Sequence, residues 1–455
     1  MKKHLFYQTI FCIVGLSISL SSAASSFQKP APKKDSKLPN IVIILADDQG
    51  YADVSYHGNP SGISTPAIDQ LAKSGFIFTN GYANGYVCSP TRAGLLTGRY
   101  PQRTGFYSAR DSHKGLSVSE ILLPELLKKK GYTSGIFGKW HLGLQKPFKP
   151  TSRGFDTFYG FLGNGGHDYF DLSYKPGDEK TSLYRDDKPI SDTGYLTDNL
   201  AREACGFIDK NAKKDSPFFL YLPFNAVHWP LQAPEEDIRK FNSGDKDRDI
   251  QLAMIYRMDL AVGQVIAKLK ETGVYENTII FYINDNGGAS KSKAINTPLR
   301  DFKHSVYEGG IRVPFFINWP KHIKLGSSDE PVISLDILPT ICGVLGIDLP
   351  TDRVYDGRNM MPVIQGKQKN ALHETLYWDG NDGFHAIRKG EWKLIQNKKG
   401  NHELYNLNAD ISEKTDLSKQ NPQIVERLNN EFKAWRSKMA TPKDKKNKKQ
   451  KDDDK

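Results

Sequence analysis

The chain has 455 residues, 38% of them hydrophobic and 25% charged, an ordinary balance for a folded, water-soluble protein with a sizeable core. Its formal net charge of +11 could indicate a nucleic-acid-binding protein. However, residues 1–37 carry six Lys against one Asp, and residues 441–455 carry seven Lys against four Asp, so the rest of the chain keeps a net charge of +3. This distribution argues against nucleic acid as a partner.

The N-terminal residues 1–25 have the pattern of a secretory signal peptide. Lys2 and Lys3 precede a short apolar run, TIFCIVGLSISL, and small residues follow in SSAASS. The run is too short to span a bilayer, so we expect no stable membrane anchor and a periplasmic or secreted protein. Residues 26–38 predict a linker rich in Pro, Lys and Ser, and residues 441–455 predict a disordered Lys/Asp tail.

Residues 39–365 show helices alternating with apolar strands. Ile41–Ala46 is apolar without a break, as expected of a strand buried on both faces. Further pairs of elements follow, namely the helix STPAIDQLAKSG capped by Thr65, the helix LPELLKKKG before the strand YTSGIFG, a helix over 195–210 before SPFFLYLPF, and the helix IYRMDLAVGQVIAKLKETG before NTIIFYIND. This alternation predicts an α/β domain with a large, mostly parallel mixed sheet sandwiched by helices.

Residues 366–440 change to short alternating strands. LYWDG, FHAIRKGEWKLIQN and HELYNL are separated by turns, and a helix is predicted over 421–438. The pattern predicts a smaller C-terminal α+β domain with a short antiparallel sheet.

Four predicted strands end in residues that can carry chemistry. These are Asp47 and Asp48 after the first, Lys139 and His141 after YTSGIFG, Asn225 and His228 after SPFFLYLPF, and Asp285 and Asn286 after NTIIFYIND. In open α/β sheets the ligand site lies beyond the carboxyl ends of the strands, so we expect these side chains to converge.

The acidic members of this set indicate a divalent cation. Asp47, Asp48, Asp285 and Asn286 offer only hard oxygen ligands, which suit Ca²⁺ or Mg²⁺ better than Zn²⁺. Ca²⁺ is favoured over Mg²⁺ because it tolerates irregular geometry. The alternative, that both pairs simply begin turns, stays open at this point.

Cys88 lies in a glycine-rich loop that opens a predicted helix. Ser89 is a candidate cap, and Gly98 a candidate stop. A helix N-terminus attracts anions and lowers the pKa of a nearby thiol. With the cationic or titratable residues Arg92, Lys139, His141, His228 and Lys303, the site is predicted to bind a small, multiply oxygenated anion such as sulfate or phosphate. Three other cysteines are expected to be inert: Cys12 leaves with the signal peptide, and Cys205 and Cys342 are buried small residues whose pairing stays open.

The stretch CSPTRAGLLTGR resembles the C-x-P-x-R signature of type I sulfatases, in the alkaline-phosphatase-like superfamily. Flanking segments resemble the family as well, among them NIVIILADDQGYADVSYHG, GIFGKWHLG, YINDNGG and YEGGIRVPFFINWP. The resemblance covers roughly residues 39–440. It implies that a formylglycine-generating maturation enzyme oxidises Cys88 to Cα-formylglycine, whose hydrated form is the nucleophile.

The resemblance also implies a role for each of the other residues. Calcium is bound by Asp47, Asp48, Asp285 and Asn286, with residue 88 near the metal. Arg92 and Lys139 position and activate the diol, and His141 is the base that breaks down the sulfated intermediate. His228 and Lys303 bind the sulfate, with His228 as the acid; His304, beside Lys303, is a competing choice.

The irregular segment 152–195 is a candidate sugar-binding region because it combines aromatic residues with Gly, Asp and Arg. Arg153, His167 and Asp168 are predicted to line a sugar subsite, and Trp229 to form a stacking platform; packing of the loop is the alternative. The segment NAVHWPLQAPEEDI resembles galactosamine-4-sulfatase-type relatives, which favours sulfated galactose or N-acetylgalactosamine units of an algal galactan or glycosaminoglycan. A phosphate or phosphonate monoester hydrolase and a non-catalytic sulfated-glycan-binding protein remain as alternatives.

Overall fold

The computed structural model describes residues 38–58, 62–163 and 166–442. The predicted signal peptide, nearly all of the predicted linker and most of the Lys-rich tail lie outside the described residues, so these stay predictions.

Helices and strands alternate along the described part of the chain. The helices are α1 (Pro66–Lys73), α2 (Cys88–Thr97), α3 (Leu123–Lys128), α4 (Leu196–Ala212), α5 (Glu235–Ile238), α6 (Lys246–Glu271), α7 (Glu308–Ile311), α8 (Ile337–Leu345), α9 (Met361–Ile364) and α10 (Pro422–Arg436). The strands are β1 (Asn40–Ala46), β2 (Phe76–Phe78), β3 (Gly81–Tyr82), β4 (Thr133–Lys139), β5 (Thr157–Phe161), β6 (Leu183–Arg185), β7 (Lys188–Ile190), β8 (Phe218–Pro223), β9 (Thr278–Asn284), β10 (Phe315–Asn318), β11 (Gly326–Ser328), β12 (Val332–Ile333), β13 (Thr375–Asp379), β14 (His385–Lys389), β15 (Trp392–Gln396) and β16 (His402–Asn406).

Ten strands form one mixed sheet in the order β11-β2-β10-β9-β1-β8-β4-β5-β6-β7. The five central strands β9, β1, β8, β4 and β5 run parallel. Antiparallel pairings begin on either side, where β10 joins β9 and β6 joins β5. The predicted mixed, mostly parallel sheet is therefore confirmed.

The apolar run of β1 is explained by burial on both faces. Ile41, Ile43 and Leu45 pack into one hydrophobic cluster, together with residues of α2, α3 and α8. The intervening Val42, Ile44 and Ala46 pack into a second cluster with α1, α4 and α6. Because side chains alternate along a strand, a strand between two helical layers must be apolar at every position. The predicted sandwich of helices around the sheet is confirmed.

Helix α6 is long and apolar enough to cross a bilayer by length and composition, yet 61% of that stretch is buried within the protein. Its apolar side chains, such as Ile255, Met258 and Val262, belong to the second cluster. This is the behaviour of a core helix that packs on a sheet.

Two cysteines outside the site lie within the described residues, and both are unpaired. Cys205 and Cys342 are both free thiols. Cys342 is buried in the first cluster, whereas Cys205 is only half-buried, at the edge of the second. The two residues lie on opposite sides of the sheet, which answers the open question of a disulfide. The predicted burial of Cys205 is only partial.

The C-terminal strands form a separate antiparallel sheet in the order β13-β14-β15-β16. A third hydrophobic cluster joins this sheet and α10 to Tyr82, Tyr86 and Tyr307 of the larger region. The predicted domain boundary at residue 365 falls between α9 and β13. The small sheet thus packs directly behind loops that lead to the site described next.

Candidate active site

Asp47 and Asp48 follow β1 directly and are 0% and 2% exposed. The Asp47 amide donates to the Ala226 carbonyl at 3.0 Å, and the Val227 amide donates back to the Asp47 carbonyl at 2.7 Å. The turns after β1 and β8 are therefore tied together. Asp48 has φ 62°, in the left-handed region that residues with a Cβ seldom adopt, as is common where a site fixes the backbone.

Asp285 and Asn286 follow β9 and are also fully buried. The register pairs Ala46 with Asn284, and the Asp285 amide donates to the Ala46 carbonyl at 3.1 Å. The next residue must be glycine, since a Cβ at Gly287 would lie 1.8 Å from the Gly309 carbonyl oxygen. The turn after β9 thereby holds both side chains beside the aspartates of β1.

Three buried oxygen atoms of this group have no hydrogen-bond partner among the described residues. They are the Oδ1 atoms of Asp47, Asp285 and Asn286. A buried acceptor without a partner is costly, so such a group indicates an absent ligand. The possible ligand atoms of Asp47, Asp48 and His228 lie within 4.8 Å of one another. Carboxylate and amide oxygens in this arrangement fit a hard cation such as Ca²⁺ or Mg²⁺.

Charges around the cluster perturb its carboxyl groups in opposite directions. Burial alone would raise the pKa of Asp47, but the positive charges of Lys139, His228 and Arg92 outweigh it and hold that pKa far below the ordinary value. Burial and the negative charge of Asp47 raise the pKa of Asp285 to about 7. The cluster therefore resists carrying all its negative charge without further compensation, as a cation site does.

Cys88 is the first residue of α2 and is 3% exposed. Ser89 is not the helix cap that the sequence predicted, because its hydroxyl donates to the His141 carbonyl at 2.6 Å and the cap position belongs to Val87. The predicted stop is confirmed, with Gly98 at φ 67°. The expected lowering of the thiol pKa is wrong, since burial raises the pKa of Cys88 despite the nearby Lys139. An unmodified thiol here is not activated.

Arg92 and Lys139 cross-link the ends of β1, β4 and β9. The Arg92 guanidinium donates to Asp285 Oδ2 at 2.7 Å, to Asp47 Oδ2 at 3.3 Å and to the Lys139 carbonyl at 2.9 Å. The Lys139 ammonium also donates to Asp47 Oδ2. Both cations are fully buried, and they face carboxylates close to Cys88.

His141, His228 and Lys303 complete the group. His141 is 2% exposed with φ 60°, and its Nδ1 has no partner among the described residues. His228 Nε2 lies 3.7 Å from Asp48 Oδ2, and the Lys303 ammonium lies 2.7 Å from Asp48 Oδ1. Burial lowers the pKa of both histidines, whereas Asp48 raises the pKa of Lys303 against the effect of its burial. The structure thus brings together all ten residues of the predicted metal and catalytic set.

A cavity of about 180 Å³ opens from this group to solvent. It is lined by Asp48, His228, Trp229, Ala289, Ser290, Lys291, Ser292, Lys303 and His304. Trp229, the predicted platform, is 45% exposed at its mouth.

The other three residues predicted to bind sugar do not line this cavity. Arg153 is 2% exposed and donates to the Glu120 carbonyl at 2.7 Å and to Glu125, so its assignment to a sugar subsite is wrong. Asp168 organises its own loop by accepting from the Phe170 and Asp171 amides at 2.8 and 2.7 Å. His167 is buried and bonded through Nδ1 to the Asp168 carbonyl, while its Nε2 lacks a partner among the described residues. Neither residue lines the cavity.

The chain is similar to known proteins over most of its length. A model of the sulfatase family matches residues 39–347. The chain belongs to the sulfatase family. A second model, described as the C-terminal part of N-sulphoglucosamine sulphohydrolase, matches residues 301–438 of this sulfatase.

Relatives support the same conclusion. The N-acetylgalactosamine-6-sulfatase of Homo sapiens is 36% identical over 78% of this chain and 71% of its own length. Arylsulfatase J of Mus musculus is 32% identical over 86% of this chain and 74% of its own. The crystal structure of Ps i-CgsB is 39% identical, with a TM-score of 0.84 over 89% of this chain and 94% of that one. The phosphonate monoester hydrolase of Agrobacterium radiobacter, 20% identical with a TM-score of 0.66, shares the fold.

Sequence reasoning missed the wall of the cavity formed by residues 289–292. These residues follow the YINDNGG segment with the sequence Ala-Ser-Lys-Ser, a polar pattern with one lysine that is typical of a solvated surface. Only the spacing from Asp285 could have drawn attention to them.

Proposed function

We propose that this sulfatase hydrolyses sulfate esters on galactose or N-acetylgalactosamine units of a polysaccharide such as an algal galactan or a glycosaminoglycan. Two similarities support the sugar assignment: the N-acetylgalactosamine-6-sulfatases among the relatives, and a structure 38% identical to this chain, Ps i-CgsB in complex with k-i-k-neocarrahexaose. The exposed Trp229 at the cavity mouth supports it independently, because aromatic faces stack on sugar rings. The export pattern of residues 1–25 supports action outside the cytoplasm.

The observation that carries the proposal is the set of orphaned oxygens of Asp47, Asp285 and Asn286, which lies beside Arg92, Lys139 and the buried Cys88. We assign these oxygens, with Asp48, to a bound Ca²⁺. When bound, the cation offsets negative charge on the sulfuryl oxygens. Arg92, Lys139 and Lys303 each pair with a carboxylate, and together they keep positive charge next to residue 88, which favours an anionic sulfate ester over a neutral substrate.

Cys88 is the proposed nucleophile position after conversion by the maturation enzyme. Conversion to formylglycine supplies a hydrated aldehyde oxygen that no unmodified side chain provides. Arg92 and Lys139, both bonded to Asp47, hold the cationic side of the pocket next to residue 88. We assign to His141, whose Nδ1 has no partner among the described residues, the role of accepting a proton from residue 88 during sulfate release.

His228 is the proposed acid for the departing sugar oxygen. Its Nε2 lies 3.7 Å from Asp48 Oδ2, its Nδ1 is bonded to the Trp229 carbonyl at 2.6 Å, and its side chain lines the open cavity. Lys303, held by Asp48 at 2.7 Å, contributes fixed positive charge to the sulfate position. As an oxygen of the hydrated residue 88 bonds to sulfur, the bond between sulfur and the sugar oxygen breaks, and that sugar oxygen takes the proton from His228.

A comparison of leaving groups tests both the reaction and the acid. Full-length protein from its own host is assayed with a sulfated galactose oligosaccharide, with 4-nitrophenyl sulfate, and with the matching phosphate and phosphonate esters. We expect sulfate esters to be preferred. His228→Ala should slow the sugar sulfate by about 10²–10⁴-fold and the aryl sulfate much less, because nitrophenolate departs without protonation.

The control is His304→Ala, which lines the same cavity without the contact to Asp48. If His304→Ala shows the leaving-group dependence instead, the acid is misassigned. Preferred turnover of phosphate or phosphonate esters would favour the monoester hydrolase alternative, and binding without any turnover would favour the glycan-binding alternative.

A further inference from the structure

The outer half of the active-site cavity carries side chains that the proposed reaction does not use. Asp48, His228 and Lys303 line its inner end, and Trp229 with residues 290–292 lines its mouth. A substrate that reaches the sulfate position must pass these outer residues. Their chemistry therefore bears on which sugars enter.

Lys291 places a positive charge at this mouth. Its side chain is exposed, and its ammonium lies 3.8 Å from the centroid of the Trp229 ring, a cation–π contact that holds it in place. No carboxylate in the described ranges 38–58, 62–163 and 166–442 pairs with Lys291. Asp48, the carboxylate of the cavity lining, is already bound by Lys303 at 2.7 Å. The mouth is thus electropositive and lacks a counter-charge from the described part of the protein.

Ser292 adds an unused hydrogen-bonding group beside Lys291. It lines the cavity and is 1% exposed, and its hydroxyl has no hydrogen-bond partner among the residues that the structure describes. A buried hydroxyl without a partner is uncommon and indicates a ligand atom. Ser290–Ser292 forms a short 3-10 turn, which brings the hydroxyl and the ammonium onto the same segment.

The loop that carries these groups is fixed to the core. The side-chain amide of Asn296 makes two hydrogen bonds of 3.1 Å with the Gly288 backbone: its Oδ1 accepts from the Gly288 N–H, and its Nδ2 donates to the Gly288 carbonyl. The Ile295 amide donates to Asp53 at 3.0 Å, and Asp53 also pairs with Arg248 at 2.8 Å. Because both ends of the turn are held, Lys291 and Ser292 form a preorganised surface and not a mobile loop tip.

We propose that Lys291, Ser292 and Trp229 form a subsite for a second anionic group of the substrate, on or next to the sugar that carries the cleaved sulfate. The sugar ring packs against Trp229, the ammonium pairs with the anion, and the Ser292 hydroxyl donates to it. The anion is a second sulfate ester or a uronate carboxylate. The enzyme thereby selects polyanionic glycans over singly sulfated ones. This inference rests on the proposed sulfatase reaction and adds its substrate class.

The test compares oligosaccharides that share a backbone and the cleaved sulfate, and that differ in carrying no second anion, a second sulfate or a uronate. Wild-type protein should show a higher kcat/KM for one of the doubly anionic substrates, and which one identifies the anion. Lys291→Gln should reduce that preference by about 5- to 30-fold, mainly through KM, as expected for loss of a charged hydrogen bond. Lys291→Arg should restore most of it.

Lys293→Gln is the matched control, because Lys293 pairs with Asp245 at 2.8 Å and does not line the cavity. It should keep the wild-type preference. Equal kcat/KM of the wild type for singly and doubly anionic substrates would overturn the subsite, as would an unchanged preference in Lys291→Gln. Failure of the reaction itself is recognised separately, because then 4-nitrophenyl sulfate is not turned over by the wild type.

Discussion

Lys393 offers a sharp test of how the C-terminal sheet is joined to the catalytic region. It lies on β15 with a fully buried side chain, and its ammonium is 2.7 Å from Glu308 Oε1 and 2.8 Å from Glu413 Oε1. Glu308 begins α7, which follows the loop that carries Lys303. Lys393→Met removes the charge and keeps most of the apolar volume. The substitution leaves two buried carboxylates without their shared cation.

The magnitude follows from the remaining contacts. Glu308 keeps the Tyr82 hydroxyl at 2.7 Å and Arg312 at 3.4 Å, so it retains compensation. Glu413 loses its cation, and burial already raises its pKa to about 7. Removing one partner of a buried ion pair costs about 3–5 kcal/mol, so we expect Lys393→Met to lower the free energy of unfolding by this amount near pH 7.5. At pH 5 the loss should be smaller, because protonated Glu413 no longer carries an uncompensated charge.

The assay is urea unfolding followed by tryptophan fluorescence, to which the buried Trp378 of β13 contributes. Lys389→Met is the control: Lys389 pairs with Glu431 at 2.8 Å from the neighbouring strand, but its side chain is 39% exposed. A surface pair of this kind contributes about 0.2–1 kcal/mol. Equal losses in both variants, or a larger loss for Lys393→Met at pH 5 than at pH 7.5, would refute the reasoning.

Three further predictions concern pH, metal and backbone. The pKa of Glu413 is raised from 4.5 to about 7, so between these pH values the folded state binds more protons than the unfolded state, and stability falls as the pH rises. Glu413→Gln should remove up to roughly 3 kcal/mol of that fall when wild type and variant are unfolded in urea across this pH range. An unaltered slope of stability against pH would count against this prediction. Ca²⁺ at 100 times its Kd should stabilise the wild type by about 2.7 kcal/mol in calorimetry and stabilise Asn286→Ala much less, whereas equal gains would reject the assigned ligands. Gly287→Ala places a Cβ 1.8 Å from the Gly309 carbonyl oxygen, so it should weaken Ca²⁺ binding in the same titration. Gly206→Ala is its control, because this exposed position in α4 leaves the new Cβ with no atom within 4 Å.

The sequence was most informative where a residue's place depends on strand order alone. Asp47 and Asp285 follow parallel neighbouring strands, so their convergence follows from an apolar run and a chain position. It was less informative where a side chain has several partners to choose from. The sequence predicts Ser89 as a helix cap, but its hydroxyl donates to the His141 carbonyl. It predicts Arg153 as a sugar ligand, but the guanidinium donates to the Glu120 carbonyl and to the Glu125 carboxylate. Contacts between distant loops decided both, and no local pattern records them.

At the cavity mouth, no sequence pattern indicated the residues that the fold makes important. Lys291 and Ser292 carry no motif, and their importance comes from the fold that brings the turn after β9 against Trp229. The raised pKa of Cys88 likewise arises from burial, whereas its position at a helix N-terminus, visible in the sequence, predicted a lowered pKa. Tertiary burial and long-range charge are the terms that a sequence pattern cannot supply.

The central claim is that Cys88 is not a thiol in the active enzyme. The most direct measurement is the mass of the peptide that contains Cys88, taken from protein purified from its own host and reacted in parallel with a hydrazide. Conversion of CH₂SH to CHO makes the peptide lighter and reactive to the hydrazide, and we expect this form to dominate in active protein. If active protein carries only the thiol, the formylglycine mechanism is wrong for this sulfatase.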